Sequence, residues 1–251
     1  MPRSRKAPKK PKQDNFEEEL IQSEDVSFKP KTNLKIKELN WTPRQREFFK
    51  LAFQENTRVV LISGPAGTSK TLLAVYCGLR MMKEAKISEI MYLRSAVESS
   101  EAKLGFLPGS AEEKLSFYNL PFLDKITELA QNSSAERLII ENKIEMFPVN
   151  FARGLNWTHK FIILDEAQNS TKKELTTVLT RLSEGSKCFI LGDPMQTDLK
   201  PGFGGAFEKI INLLDDEESR KMGIISFKFT EEDIMRDEIV KYLVKKLKAF
   251  N

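Results

Sequence analysis

The chain has 251 residues, of which 40% are apolar and 30% charged, enough for one large soluble globular domain or a domain with a small annex. No apolar run approaches the length needed to cross a bilayer. The net charge of +4 misleads as an average, because residues 1–12, MPRSRKAPKKPK, carry six basic and no acidic side chains and leave −2 on the rest.

The basicity therefore belongs to a tail, and residues 1–40 read as a disordered basic tail and linker ahead of a domain over 41–251. Three prolines and almost no apolar content deny residues 1–12 a packed element. Such a tail either draws nucleic acid through counterion release or simply solubilises the chain. It has no apolar segment behind it and does not read as a secretory signal, which points to a cytoplasmic protein with no membrane partner. Cys77 and Cys188 fall in apolar runs, where small buried hydrophobes are expected over a disulfide. Two cysteines and one histidine, His159, also argue against zinc.

Residues 13–40 mix charges without periodicity and read as a linker or an extended wrap. Thr42-Pro43 is a helix start, and Phe48, Phe49, Leu51, Ala52 and Phe53 give the helix an apolar face. Gln45 lies in its first turn, where a glutamine could read an adenine edge, although such a residue alone is more often ordinary surface. Val59 to Ser63 reads as a buried strand, followed by GPAGTSKT and a helix over Leu72 to Met82. Glu89 to Arg94 is a second strand. An irregular stretch punctuated by Gly105, Pro108 and Gly109 leads to a helix from Ala111 to about Leu120, which Pro121 is expected to interrupt before a second run to Ala130. Further strands are expected at Phe161–Asp165, Lys187–Leu191 and Ile224–Phe229. Helices are expected around Leu175–Leu182, over Phe207–Leu214 and through Ile239, Leu243 and Leu247. The acidic run Asp215–Glu218 reads as a solvated loop. Strands alternating with helices, and nearly continuous in apolar residues, predict an α/β fold with a mainly parallel sheet flanked by helices on both faces.

The chemistry concentrates in Gly64, Pro65, Ala66, Gly67, Thr68, Ser69, Lys70 and Thr71. A strand that breaks into such a loop and opens a helix aims unpaired amides at bound phosphates. Lys70 would reach the terminal phosphates, and the Thr71 hydroxyl would hold a magnesium ion. Ser69 occupies the position where the G-x-x-x-x-G-K-[ST] pattern has its second glycine; in a first helical turn it would take ordinary helical angles and still donate its amide. Asp165 ends a predicted strand at the sheet's carboxyl edge, where it could hold magnesium opposite Thr71, and Glu166 could deprotonate an attacking water. Gln196, at the tip of the next strand, could contact a γ-phosphate or that water. Together these motifs point to a P-loop NTPase.

The motifs together resemble the PhoH family, whose ATPase domain belongs with the superfamily-one helicase cores. The similarity runs from about Trp41 to Phe250 and rests on TPRQREFF, GPAGTSKT, RSAVESSEAKLGFLPGSAEEK, FARG, FIILDEAQN, LTRLSEGSK, GDPMQTDL and FTEEDIMRDEIV. It implies a RecA-like core that binds and hydrolyses ATP with magnesium, assembled as a homo-oligomeric ring such as a hexamer, and coupled to RNA or single-stranded DNA. Gln45 then matches an adenine-sensing glutamine, Gly64 to Thr71 the phosphate loop, Asp165 and Glu166 the magnesium and water-activating pair, and Gln196 the glutamine of GDxxQ. Arg236 is the candidate for a catalytic arginine reaching a neighbouring subunit, with Arg153 and Arg181 as rivals. Two other readings use the same loop: a nucleotide-responsive binding scaffold with little hydrolysis, and a small-molecule kinase, which Gln196 and the acidic pair disfavour.

Overall fold

The apolar runs of the sequence become the centre of a sheet. The computed structural model describes residues 34–95, 111–130, 132–152, 156–197 and 205–248. Its strands are β1 (Val59–Ser63), β2 (Glu89–Arg94), β3 (Ile144–Pro148), β4 (Lys160–Asp165), β5 (Lys187–Gly192) and β6 (Ile224–Lys228). They form one six-stranded sheet in the order β3-β2-β4-β5-β1-β6, and every pairing is parallel. The helices are α1 (Pro43–Ala52), α2 (Lys70–Lys83), α3 (Ala111–Leu129), α4 (Asn132–Ile140), α5 (Lys172–Leu179), α6 (Ala206–Leu213), α7 (Glu217–Lys221) and α8 (Glu238–Lys248).

Side chains alternate across the sheet as a period of two requires. Val60, Ile62, Ile90, Tyr92, Ile163, Phe189 and Leu191 join Phe48, Phe49, Leu73 and Phe122 in one core. Val59, Leu61, Met91, Leu93, Ile162, Leu164 and Ile190 join Leu175, Val178 and Phe207 in the other. A sheet covered on both faces has no room for polar alternation, which is why its strands read as unbroken apolar runs. The register pairs Ser63 with Gly192 and Arg94 with Asp165. The carboxyl ends of β1, β5, β4 and β2 thus share one edge, and the site forms there.

Three expectations change, and two elements are new. The packed chain begins before Trp41: Leu34 is buried, and Lys37 N donates to Leu129 O at 2.7 Å, so these residues are an extended wrap. Pro121 does not break the helix, because α3 runs through it. Phe122, Ile126 and Leu129 are fully buried on its far side, and Phe122 stacks on Tyr92 at 4.2 Å; that burial offsets the ~3 kcal/mol an interior proline costs. The acidic run is a helix start: Asp216 accepts from Ser219 N at 2.7 Å and caps α7, with Glu217 and Glu218 at its positive end. That cap holds the exposed Asp216 carboxyl below its ordinary range. Finally, α4 and β3 carry no strong pattern of their own. β3 is an edge strand, mostly half-buried and ending in proline, so its apolar run is short.

Both cysteines are buried and free. Beside Cys188 lies a less ordinary group, the Lys187 ammonium. It donates to Ala52 O at 3.1 Å and Gln54 O at 2.8 Å, closing the end of α1. Burial lowers its pKa from 10.5 to about 8. The folded value lies below the unfolded one, so between them the unfolded chain binds more protons and stability rises with pH. The span of 10.5 to about 8 corresponds to roughly 3 kcal/mol. Urea unfolding from pH 8 to 10.5 should show this rise in the native protein and lose it in Lys187→Met.

Candidate active site

Beyond β1 the chain turns sharply at Gly64, whose N–H donates to Gly192 O at 3.3 Å. Gly67 has φ +84°, and a Cβ there would stand 3.0 Å from Arg236 Cγ, so the loop needs glycine for both conformation and space. Thr68 is buried and its Oγ1 donates to Pro65 O at 2.9 Å, bracing the loop from inside. Ser69 overturns its expectation. It is the N-cap of α2 at φ +65°, ψ +21°, and its side chain makes no capping bond. This left-handed geometry is why a glycine suits the position, and a serine in it costs about 1–2 kcal/mol. Replacing Ser69 with glycine should therefore stabilise the protein, by about 0.5–1 kcal/mol once the freer unfolded chain is counted. Thermal melts should show a rise for Ser69→Gly and a fall for Ser69→Val.

From α2, Thr71 Oγ1 donates to Asp165 Oδ2 at 2.9 Å. The same oxygen accepts from Tyr92 Oη at 3.1 Å, and Glu166 N donates to Oδ1 at 3.0 Å. Burial and then the neighbouring Glu166 push the Asp165 carboxyl up, against the pull of those donors. A carboxylate so buried, beside a threonine hydroxyl, suits a cation that would relieve both costs. Among the described residues no three His, Cys, Asp or Glu side chains cluster to cage a metal. Magnesium held by one carboxylate, one hydroxyl and phosphate oxygens needs no such cage. The Tyr92 hydroxyl is itself pushed well up by burial and by Asp165, so it stays a donor.

Glu166 also has left-handed backbone, φ +54° and ψ +41°, a strained conformation that clusters at functional sites. Its carboxylate lies 3.7 Å from Arg94 and accepts from Gln168 Nε2 at 2.6 Å. The Lys70 ammonium donates to Gly64 O at 2.7 Å and Pro65 O at 3.0 Å. Burial lowers its pKa, while Asp193, Asp165 and Glu166 pull the other way.

These groups border a cavity of about 390 Å³. Ala66, Gly67, Ser69, Lys70 and Thr71 form one wall, and Asp165 and Glu166 another. Asp193 and Gln196 close it from the β5 turn, Lys125 and Glu128 from α3, and Met235 and Arg236 from the segment before α8. Met235 N donates to Gly67 O at 2.9 Å, which clamps this segment on the loop. Arg236 is thus brought to the loop of its own chain. Arg181 does not line the cavity; its carbonyl accepts from Trp157 N at 3.0 Å. Arg153 lies outside the described residues. Gln45 also stays off the cavity lining. It is buried, and its Oε1 accepts from Thr42 N at 3.0 Å in a capping box. Tyr92, Arg94 and Gln168 were missed. The available signal was polar groups in or beside otherwise apolar strands, EIMYLR and FIILDEAQN.

A sequence model of the PhoH-like protein family matches residues 37–248. This chain belongs to the PhoH-like protein family. It is 35% identical over 204 residues to the PhoH-like protein of Synechocystis sp., covering 81% of this chain and 60% of the relative. The PhoH-like protein of Bacillus subtilis is also 35% identical over 204 residues, covering 81% and 62%. The chain thus spans about three fifths of the length of these curated relatives. Protein PhoH2 of Mycolicibacterium smegmatis is 31% identical over 155 residues, covering 61% of this chain and 36% of that one. Among solved structures, a Sulfolobus solfataricus SWI2/SNF2 ATPase core in complex with dsDNA matches at TM-score 0.42 and 16% identity, over 81% of this chain and 47% of that one. The Pif1 helicase from Candida albicans matches at 0.38 and 14%, over 77% and 40%. The PhoH-like chain carries its phosphate-loop motif, Gly64 to Thr71, at the carboxyl edge of an all-parallel α/β sheet. Among its described residues, no helix is long and apolar enough to cross a membrane.

Proposed function

We propose that this chain hydrolyses ATP. The observation that carries the reading is the convergence of Lys70, Thr71, Asp165 and Glu166 on one cavity at the carboxyl edge of the sheet. Loop amides and Lys70 hold the phosphates, and Glu166 takes a proton from the attacking water. Gln196 reaches the γ-phosphate, and Arg236 neutralises developing charge within its own chain. Thr71 and Asp165 would hold magnesium, which supplies charge neutralisation at the phosphates when bound. In this reading hydrolysis is coupled to RNA or single-stranded DNA, which the basic residues 1–12 favour, and the chain works as a homo-oligomeric ring that brings neighbouring sites together.

One observation favours a second reading, a nucleotide-responsive scaffold: Lys70 is turned onto the carbonyls of its own loop. The two readings separate in a phosphate-release assay with and without magnesium, RNA and single-stranded DNA, run beside a measurement of assembly mass. Hydrolysis predicts magnesium-dependent release, raised by nucleic acid, from a particle several chains in mass. Release at the blank level with nucleotide still bound would support the scaffold instead. A rate indifferent to both nucleic acids would remove the coupling.

A further inference from the structure

Gln168 stands in the DEAQN run but has no part in the function so far proposed. It is 4% exposed, and it lies behind the cavity wall. Both ends of its amide are in use. Oε1 accepts from Asp193 N at 3.0 Å, and Nε2 donates to Glu166 Oε2 at 2.6 Å. A backbone N–H can only donate, so the Asp193 amide dictates which end is oxygen and turns the NH2 group to Glu166. The amide packs closely on the strand end: a Cβ on Gly192 would come within 2.9 Å of Gln168 Oε1. Thr197 Oγ1 adds a third tie, donating to Gln168 O at 3.2 Å.

The two partners of this amide belong to different parts of the site. Glu166 follows β4 in a strained backbone conformation, and its carboxylate side chain is 42% exposed, with its ion pair to Arg94 stretched to 3.7 Å. The charge-assisted bond from Gln168, at 2.6 Å, is the shorter restraint. Asp193 opens the turn after β5, and Gln196 closes it, donating its N–H to Asp193 O at 3.0 Å. The cavity lies against both Glu166 and Gln196.

We propose that Gln168 is a positioning residue that ties the direction of the Glu166 carboxylate to the Asp193–Gln196 turn. The base is then aimed at water only when the turn carrying Gln196 is seated against the phosphate. This rests on Glu166 serving as the base in ATP hydrolysis. Its chemical content is that residue 168 must accept at one end and donate at the other.

Two variants test that content. Gln168→Leu keeps most of the volume and loses both bonds. Gln168→Glu restores both when its carboxyl is protonated, and when ionised it sets a like charge against Glu166. Gln168→Leu should lower kcat at least about tenfold with KM for ATP changed less than about threefold, the pattern of an interaction made in the transition state. The kcat of Gln168→Glu relative to the native protein should fall as pH rises from about 6 to 9, while that of Gln168→Leu stays low throughout. A residue with only a packing role would show no such pH-dependent rescue. A Gln168→Leu kcat within about threefold of native, or a Gln168→Glu kcat that stays near native up to about pH 9, where the ionised carboxylate has no proton to donate, would overturn the proposal. If the native protein releases no phosphate, hydrolysis itself has failed, and the tie is judged by urea midpoints of Gln168→Leu, Glu166→Ala and the double variant. Non-additive midpoints support the link between the two side chains, and additive ones overturn it.

Discussion

Glu166→Gln is expected to lower ATP turnover by about a hundredfold or more while nucleotide binding survives. The amide has the size and shape of the carboxylate, so nothing need repack: its one oxygen still accepts from Gln168, while its NH2 group faces Arg94 and that ion pair is lost. What is lost is the ability to take a proton from water as it attacks. Removing a negative charge beside the phosphates should leave affinity equal or improved. Phosphate release and titration with a fluorescent ATP analogue separate the two effects. Turnover within about threefold of native would move the base elsewhere, and Asp193, buried at the next strand end, would be the first residue to examine.

Lys70→Met should act on both binding and turnover. The ammonium spans the loop, donating to Gly64 O and Pro65 O, and to hold phosphate it would exchange those carbonyls for phosphate oxygens. Charge-assisted hydrogen bonds contribute about 1.5–3 kcal/mol each, so their loss should weaken ATP binding by at least about tenfold. Turnover should fall by about a hundredfold, because the lysine also meets charge that grows on the transferring phosphoryl group. Burial lowers the Lys70 pKa, but three nearby carboxylates oppose this, and bound phosphates would add to that opposition. Methionine keeps the apolar stem, so the urea midpoint should move little. Unchanged affinity in the titration would show that Lys70 remains on its carbonyls and that the phosphates lie elsewhere.

Most of the sheet was legible because buried parallel strands announce themselves locally. VVLIS, EIMYLR, KFIILD and KCFILG each bury nearly every residue, so no alternation had to be decoded. Edge strand β3 was not legible, since its apolar residues are few and half-buried. The loop and the acidic pair were legible for a related reason: their residue types follow directly from what phosphate and water require. Their connections were not. Tyr92 looked like one more apolar residue of β2, and only its place on the strand beside β4, two register positions before the partner of Asp165, brings its hydroxyl to the carboxylate.

The sequence alone therefore determined the parallel α/β core and singled out the loop and acidic pair that line the cavity, because burial on both faces and the residue types of a phosphate loop each leave a local trace. Tertiary structure decided how those residues are held. It set Ser69 and Glu166 in left-handed backbone, placed Arg236 on the loop of its own chain and ran α3 through Pro121. None of these leaves a local trace, because each depends on which distant group lies opposite: a carbonyl to accept, a ring to stack on, or a glycine to make room. Gln168 shows this most plainly. Its identity is one letter in DEAQN, while its two partners meet only because β4 and β5 are neighbours in the sheet.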